Sequence, residues 1–249
     1  MKISIITATY NSEAFLHQLY ESIKCQTNSS WEWVVTDDYS TDSTISILTE
    51  IATNDERVHF YQLERNCGAA YARNNSISKA SNRFLAFVDS DDVWEVSKLD
   101  TQLAYMNNHK LAFCFTGYQL INENGDALEK KIDCGVDRVF SYDDMLKKKA
   151  TLGCSTVMID KELLGIEISM PDIRTGQDYA TWLKILKVGG TASLLAVPLT
   201  KYRLVKGSIS SNKFKKAKRQ WQIYRELEGL NILYSSYCFF HYAIRAVTR

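Results

Sequence analysis

The stretch FLAFVDSDDVW, residues 84–94, decides how the chain is read. Residues 84–88 are all apolar, as a strand buried on both faces requires. They run directly into Asp89-Ser90-Asp91-Asp92, three acids in four positions. Towards the N-terminus the same strand signal recurs, separated each time by a helical one. Residues 2–8, 31–36, 58–63 and 83–88 read as strands. Residues 13–25 place Phe15, Leu16, Leu19 and Ile23 on one helical face. Asp42 or Ser43 can cap a second helix carrying Ile45, Leu48 and Ala52. Residues 68–80 form a third helix. Beyond the acids, Val96, Leu99, Leu103 and Met106 follow the spacing of a buried helix face. Alternating strands and helices predict an α/β fold with a mostly parallel central sheet and helices on both faces. Such sheets bind ligands beyond the C-terminal ends of their strands. After residue 111 the rhythm changes. Residues 112–121 predict a long strand and Asn124-Gly125 a hairpin turn. Residues 155–159 predict a short strand, 177–188 a helix ended by Gly189-Gly190, and 192–205 another strand.

Composition bounds the function. The 249 residues are 45% hydrophobic and 24% charged, enough to fold around a real core. The net charge of +1 hides an asymmetry. Residues 201–249 hold eleven Lys and Arg against two acids, a balance of +9, so residues 1–200 carry −8. Taken alone, the near-neutral total argues against an indiscriminate nucleic-acid binder. Six cysteines without a Cys-x-x-Cys pair argue against zinc and against a disulfide framework, and predict reduced thiols in a cytosolic protein. The four histidines form no metal-spaced cluster. The N-terminal 15 residues read as a first strand rather than a signal peptide, and no stretch approaches the ~20 apolar residues that span a bilayer.

The strand ends carry the chemistry. Three clustered acids repel one another, and a divalent cation with oxygen ligands would relieve them and could bridge to a diphosphate. Helix capping by Asp91 or Asp92 is the plainer alternative, but it accounts for one acid, not three. Asp38, after the second strand, could accept from a base imide or serve a turn. Tyr10 could stack on a nucleobase or be a half-exposed loop aromatic. Gly68 allows close backbone approach at a helix start that favours phosphate. Arg73 there could hold a diphosphate or pair with the acidic loop. Asp178, opening residues 177–188, could complement the helix dipole or act as a general base.

Six segments in this order resemble glycosyltransferase family 2, inverting nucleotide-sugar transferases with a GT-A fold. They are SIITATYN (4–11), DDYSTDST (37–44), NCGAAYARN (66–74), FVDSDD (87–92), GQDYATWLKI (176–185) and YRLVKGSIS (202–210), so the resemblance spans residues 2–210. It implies a GT-A domain over 1–205, with a nucleotide-binding half to about 110 and an acceptor half from 111, plus a helical extension over 206–249. It implies that Thr9, Tyr10 and Asp38 hold uracil, with Asn66 and Arg73 near the nucleotide or diphosphate. Asp89 and Ser90 would meet ribose and phosphate. Asp91, with Asp89 beside it, would ligate Mn²⁺ or Mg²⁺. Asp92 would bind donor sugar or order the loop. Asp178 becomes the base, and Trp182 lines the acceptor side or packs beneath the base. Tyr39 stands where members often have Gly, Gln177 where many have Glu, and Val205 where many have His, leaving Lys206 to help hold the diphosphate. The D-x-D-D form and the basic C-terminus resemble bacterial O-antigen hexosyltransferases. These imply a UDP-sugar donor (glucose or galactose), a polyprenyl-diphosphate-linked sugar acceptor and a β-linked product.

The tail points to a surface. Residues 213–221 begin a predicted helix with Phe214, Ala217, Trp221 and Tyr224 on one face and basic residues around it, and residues 234–242 add five aromatics. Such a region suits the cytoplasmic face of the inner membrane, making the protein peripheral there. A helix packed on the body, or a dimer contact, is the other reading. Two rival functions remain in view. A nucleotidyltransferase would favour a glycine-rich basic loop after the first strand, which TATYN does not offer. A binding module for nucleotide sugar or anionic lipid would dispense with Asp178.

Overall fold

The structure, a computed structural model, describes residues 1–205 and 213–248. Its strands are β1 (Ile3–Thr9), β2 (Trp31–Asp37), β3 (Val58–Gln62), β4 (Phe84–Phe87), β5 (Val93–Trp94), β6 (Phe113–Ile121), β7 (Ala127–Ile132), β8 (Arg138–Phe140), β9 (Val157–Asp160) and β10 (Ala192–Arg203). The helices are α1 (Leu16–Lys24), α2 (Thr44–Asn54), α3 (Ala69–Lys79), α4 (Lys98–His109), α5 (Tyr142–Leu146), α6 (Lys161–Leu164), α7 (Gln177–Lys187), α8 (Lys213–Gln222) and α9 (Ile232–Thr248).

The strands form one sheet in the order β3-β2-β1-β4-β9-β6-β10-β5, with β7 on β6 and β8 on β10. Strands β1 to β4 are mutually parallel; β9 and β5 run against the other six in that order. All seven residues of β1 and of β2 are buried, which requires apolar cover on both faces. One core holds Ile6, Phe87, Phe113 and Trp182. The other holds Ile5, Leu16, Trp33 and Leu99. Register brings the strand ends together. Thr9 pairs with Asp37, Ile6 with Phe87, and the Val88 amide donates to the Ile6 carbonyl. The acids at 89–92 therefore emerge on the same edge as Thr9 and Asp38.

Two local readings differ from the sequence pattern. Val96 is 51% exposed and precedes α4, because a turn closed by Lys98 N–H on the Glu95 carbonyl starts that helix later. The two-residue β5, paired with Thr200 and Lys201, is too short to show a period. The Asn124-Gly125 hairpin is present between β6 and β7. All six cysteines are free.

Lys98, at the start of α4, is fully buried with no carboxylate partner among the described residues. Its Nζ donates to Gln102 Oε1 at 2.6 Å and lies 5.0 Å from the Trp94 ring. Burial lowers its pKa from 10.5 to about 7. The unfolded chain then binds a proton that the folded chain does not, so stability falls as pH drops from 10.5 towards 7. The slope from one such group is at most about 1.4 kcal/mol per pH unit. Lys98→Met should raise the urea midpoint at pH 7 and flatten this dependence; an unchanged slope would remove Lys98 as its source.

Candidate active site

The loops after β1 and β2 are joined side by side. Asn11 N–H donates to Ser40 Oγ at 2.8 Å, and Thr41 N–H donates to Asn11 Oδ1 at 2.9 Å. Asn11 and Tyr39 both adopt left-handed backbone, with φ of +48° and +68°. Tyr39 thus keeps the turn that glycine would make, at a cost of about 1–2 kcal/mol. The rings of Tyr10 and Tyr39 are each 48% exposed at this edge. Thr9 is buried, and its Oγ1 has no hydrogen-bond partner among the described residues. A buried hydroxyl without a partner costs about 1–3 kcal/mol, which a ligand group could offset.

Asp38 acquires a job that its sequence position did not reveal. Its carboxylate accepts from the Cys67 and Gly68 amides at 2.6 and 2.8 Å, and Asn66 Nδ2 donates to its carbonyl at 3.1 Å. Gly68, at φ +93°, turns these amides towards it. Asp38 therefore anchors the start of α3, and one lone pair on each oxygen is left for a ligand.

From α3, Arg73 reaches under the acidic loop and pairs with Asp89. It is buried, and its Nε has no partner among the described residues. Burial opposes its charge, but the nearby Cys154 thiol and the Asp89 and Asp178 carboxylates raise its pKa overall.

The acidic loop is held from below and behind. Ser155 Oγ accepts from the Asp89 amide at 3.0 Å and donates to Asp92 Oδ2 at 2.5 Å. The Arg203 amide donates to Asp92 Oδ1 at 2.9 Å, and Arg203 Nε donates to the Asp91 carbonyl at 2.6 Å. The rest of that guanidinium donates to the Asn122 and Glu123 carbonyls and to Gln18. Ser90 Oγ and Ser12 Oγ are 2.8 Å apart. Asp92 is 1% exposed, and both its oxygens are engaged by Ser155 and the Arg203 amide, which fastens the loop. Burial first, then Asp91 and Asp89, push its pKa well up. Asp91 differs. It receives no side-chain donor among the described residues, and burial followed by Asp89 raises its pKa to about 6.

Asp178 sits in the first turn of α7. That helix starts at Gly176, whose φ is +74° and where a Cβ would come within 3.1 Å of Ile223. Burial raises the Asp178 pKa, Arg73 opposes the rise, and Asp89 adds to it. Trp182, one turn on, is fully buried, with ring centroids 5.3 Å from Phe87 and 5.4 Å from Phe113. Its ring packs in the core on the Ile6, Phe87 and Phe113 side of the sheet. Lys206 lies outside the described residues.

Sequence reading passed over Ser12, Ser155 and Arg203. Arg203 stood within the quoted segment 202–210, but nothing in its spacing tied it to residues 91 and 92.

Among the described residues no group of three His, Cys, Asp or Glu side chains is placed to hold a metal ion. The donor set suits a cation shared with a ligand. Asp91 has carboxylate oxygens without side-chain donors, Asp89 has one oxygen beyond its Arg73 pair, and ligand oxygens would complete the shell.

The sheet and the chemistry at its edge are those of a GT-A glycosyltransferase. The chain belongs to glycosyl transferase family 2, whose sequence profile matches residues 4–160. Members of that family generally use a divalent metal. Over 247 residues the chain is 45% identical to the putative teichuronic acid biosynthesis glycosyltransferase TuaG of Bacillus subtilis, covering 99% of this chain and 96% of that one. It is 37% identical to WfgD of Escherichia coli, named a UDP-Glc:alpha-D-GlcNAc-diphosphoundecaprenol beta-1,3-glucosyltransferase, covering 89% and 84%. Crystalline S. aureus TarS 1-349 in complex with UDP-GlcNAc superposes with a TM-score of 0.74 at 22% identity, covering 96% of this chain and 70% of that one. That likeness concerns the fold.

Proposed function

We propose that the protein transfers a hexose, glucose or galactose, from UDP to a hydroxyl of a lipid-diphosphate-linked sugar, with inversion to a β-linked product. The names of WfgD and of WfaP, the latter 35% identical and sharing the same description, favour glucose and a GlcNAc-diphosphate lipid. The observation that carries the reading is Arg73. One buried cation pairs with Asp89 and lies in the field of Asp178, coupling the donor-side acids to the carboxylate on α7.

In this reading Thr9, Tyr10 and Asp38 receive the uracil, and Asn66, Arg73, Asp89 and Ser90 lie along ribose and diphosphate. Asp91 and Asp89 would hold Mn²⁺ or Mg²⁺, which when bound neutralises charge on the leaving diphosphate. Asp178 takes the acceptor proton as the hydroxyl attacks the anomeric carbon from the face opposite UDP. Its raised pKa suits that task, since a stronger base draws the proton further in the transition state. Residues 1–110 form the nucleotide half, 111–205 the acceptor half, and the C-terminal helices face the membrane that carries the acceptor.

The test is a screen of purified protein with UDP-glucose, UDP-galactose and short-chain lipid-diphosphate sugars, with the product linkage read by NMR. A β-linked hexosyl product is expected. Absence of UDP release from every donor and acceptor pair would overturn the proposal.

A further inference from the structure

We propose that the C-terminal helices set the position of the base, with Arg219 a positioning residue for Asp178; this rests on the role given to Asp178 above. The contact lies just ahead of that residue in the chain. Arg219 Nε, on α8, donates to Thr175 Oγ1 at 3.3 Å. Arg219 Cγ lies 3.7 Å, and Ile223 Cδ1 3.1 Å, from where a Cβ on residue 176 would stand. Gly176 turns through φ +74° to begin α7, and its carbonyl accepts from the Ala180 amide at 3.0 Å. Asp178 lies in that first turn. The segment that aims the carboxylate is therefore packed directly against α8 and the turn that follows it.

The same part of the chain holds α7 further along. The turn after α8, Ile223–Leu227, is wound as a π-helix, a rare form that recurs at functional sites. Tyr224 in that turn is fully buried and donates to the Leu146 carbonyl at 2.5 Å. Tyr179, the residue after Asp178, donates to the neighbouring Met145 carbonyl at 2.8 Å. Consecutive carbonyls at the end of α5 thus hold one tyrosine from α7 and one from the C-terminal region. At the far end of α7, Lys187 Nζ donates to Glu228 Oε2 at 3.2 Å, and Tyr142 donates to the same oxygen at 2.6 Å. The sequence pattern gave the face of α8 that runs on to Tyr224 to a membrane. The structure turns Tyr224 into the core and leaves Phe214 90% exposed. A general base works only within hydrogen-bond reach of the hydroxyl, so a small shift of the first turn of α7 costs rate. The donor contacts proposed at Thr9, Asp38 and Asp91 lie on other elements and would not feel that shift.

The experiment compares the full chain with Arg219→Ala, and with Thr175→Val as a milder variant that removes only the oxygen Arg219 bonds. In Arg219→Ala, kcat with UDP-glucose and a lipid-diphosphate sugar should fall by about tenfold to a hundredfold, the scale of a misplaced reacting group. Thr175→Val should fall in the same direction by less. UDP affinity in the presence of Mn²⁺, measured by calorimetry, should stay at the wild-type value in both. Hydrogen exchange at the Ala180 amide reads the start of α7 without turnover, and should quicken in both variants. An unchanged kcat in Arg219→Ala would overturn the proposal. So would unchanged exchange, or a loss of UDP affinity in step with kcat, which is the mark of general loosening. If wild type forms no product with any donor and acceptor pair while exchange still quickens, the reaction proposed above fails and the hold on α7 stands.

Discussion

Asp178→Asn should lower the transfer rate by about 10²–10⁴-fold, while UDP binding measured by calorimetry stays within a few-fold of wild type. The substitution keeps the size of the side chain and the first turn of α7, so the fold is preserved. It removes the proton acceptor. The donor contacts proposed at Thr9, Asp38 and Asp89 belong to other elements and are left in place. The pH profile gives a second readout. Burial raises the pKa of Asp178 against the pull of Arg73. The ionised form is the base, so transfer should fall as pH drops through that raised pKa. The residual activity of the Asn variant should lose this acid limb. A variant with near wild-type activity, or one keeping the same limb, would remove Asp178 as the base. A binding module in place of an enzyme predicts that outcome.

Most of the architecture was legible because periodicity reports burial, and burial is what a two-sided sheet demands of β1, β2 and β4. The acidic loop was legible too, because three acids after an apolar strand are costly without a function. What escaped was set by tertiary contact. Nothing local distinguishes Asp91 from Asp92; one is turned inward only because Ser155 and the Arg203 amide, 63 and 111 residues away, converge on it. Trp182 has the spacing of a site residue and the surroundings of a core residue, since Phe87 and Phe113 close around it. Strand β9 enters antiparallel between β4 and β6; its pairing with β4 crosses more than seventy residues and that with β6 more than forty, and neither leaves a trace in short-range pattern. Tyr39 reverses the lesson. The residue type argued against a glycine-like turn, yet the side-chain bonds from Ser40 to Asp37, and from the Asn11 amide to Ser40, hold that turn regardless.

Asp91→Ala should abolish the metal-dependent part of UDP-sugar affinity without weakening the fold. Asp91 is half-buried beside Asp89, and its pKa of about 6 means that its charge at neutral pH is held against burial and repulsion. Removing the carboxylate relieves that cost, so the metal-free variant should melt no lower than wild type. The loop itself is fastened by Asp92 to Ser155 and Arg203, and Arg203 Nε bonds the backbone carbonyl of residue 91, which alanine retains. Loss of a direct carboxylate ligand should cost at least the ~10–100-fold in metal affinity known for outer-shell partners. Calorimetric titration of UDP-glucose with and without Mn²⁺ reads this directly. Wild type should gain affinity from the metal and the variant should not. Arg73→Lys gives the contrast: it leaves Asp91 in place but breaks the guanidinium geometry beneath Asp89, so the gain from Mn²⁺ should persist while transfer falls. Metal-dependent affinity equal to wild type in Asp91→Ala would move the cation away from this loop, and with it the reason for three acids at the end of β4.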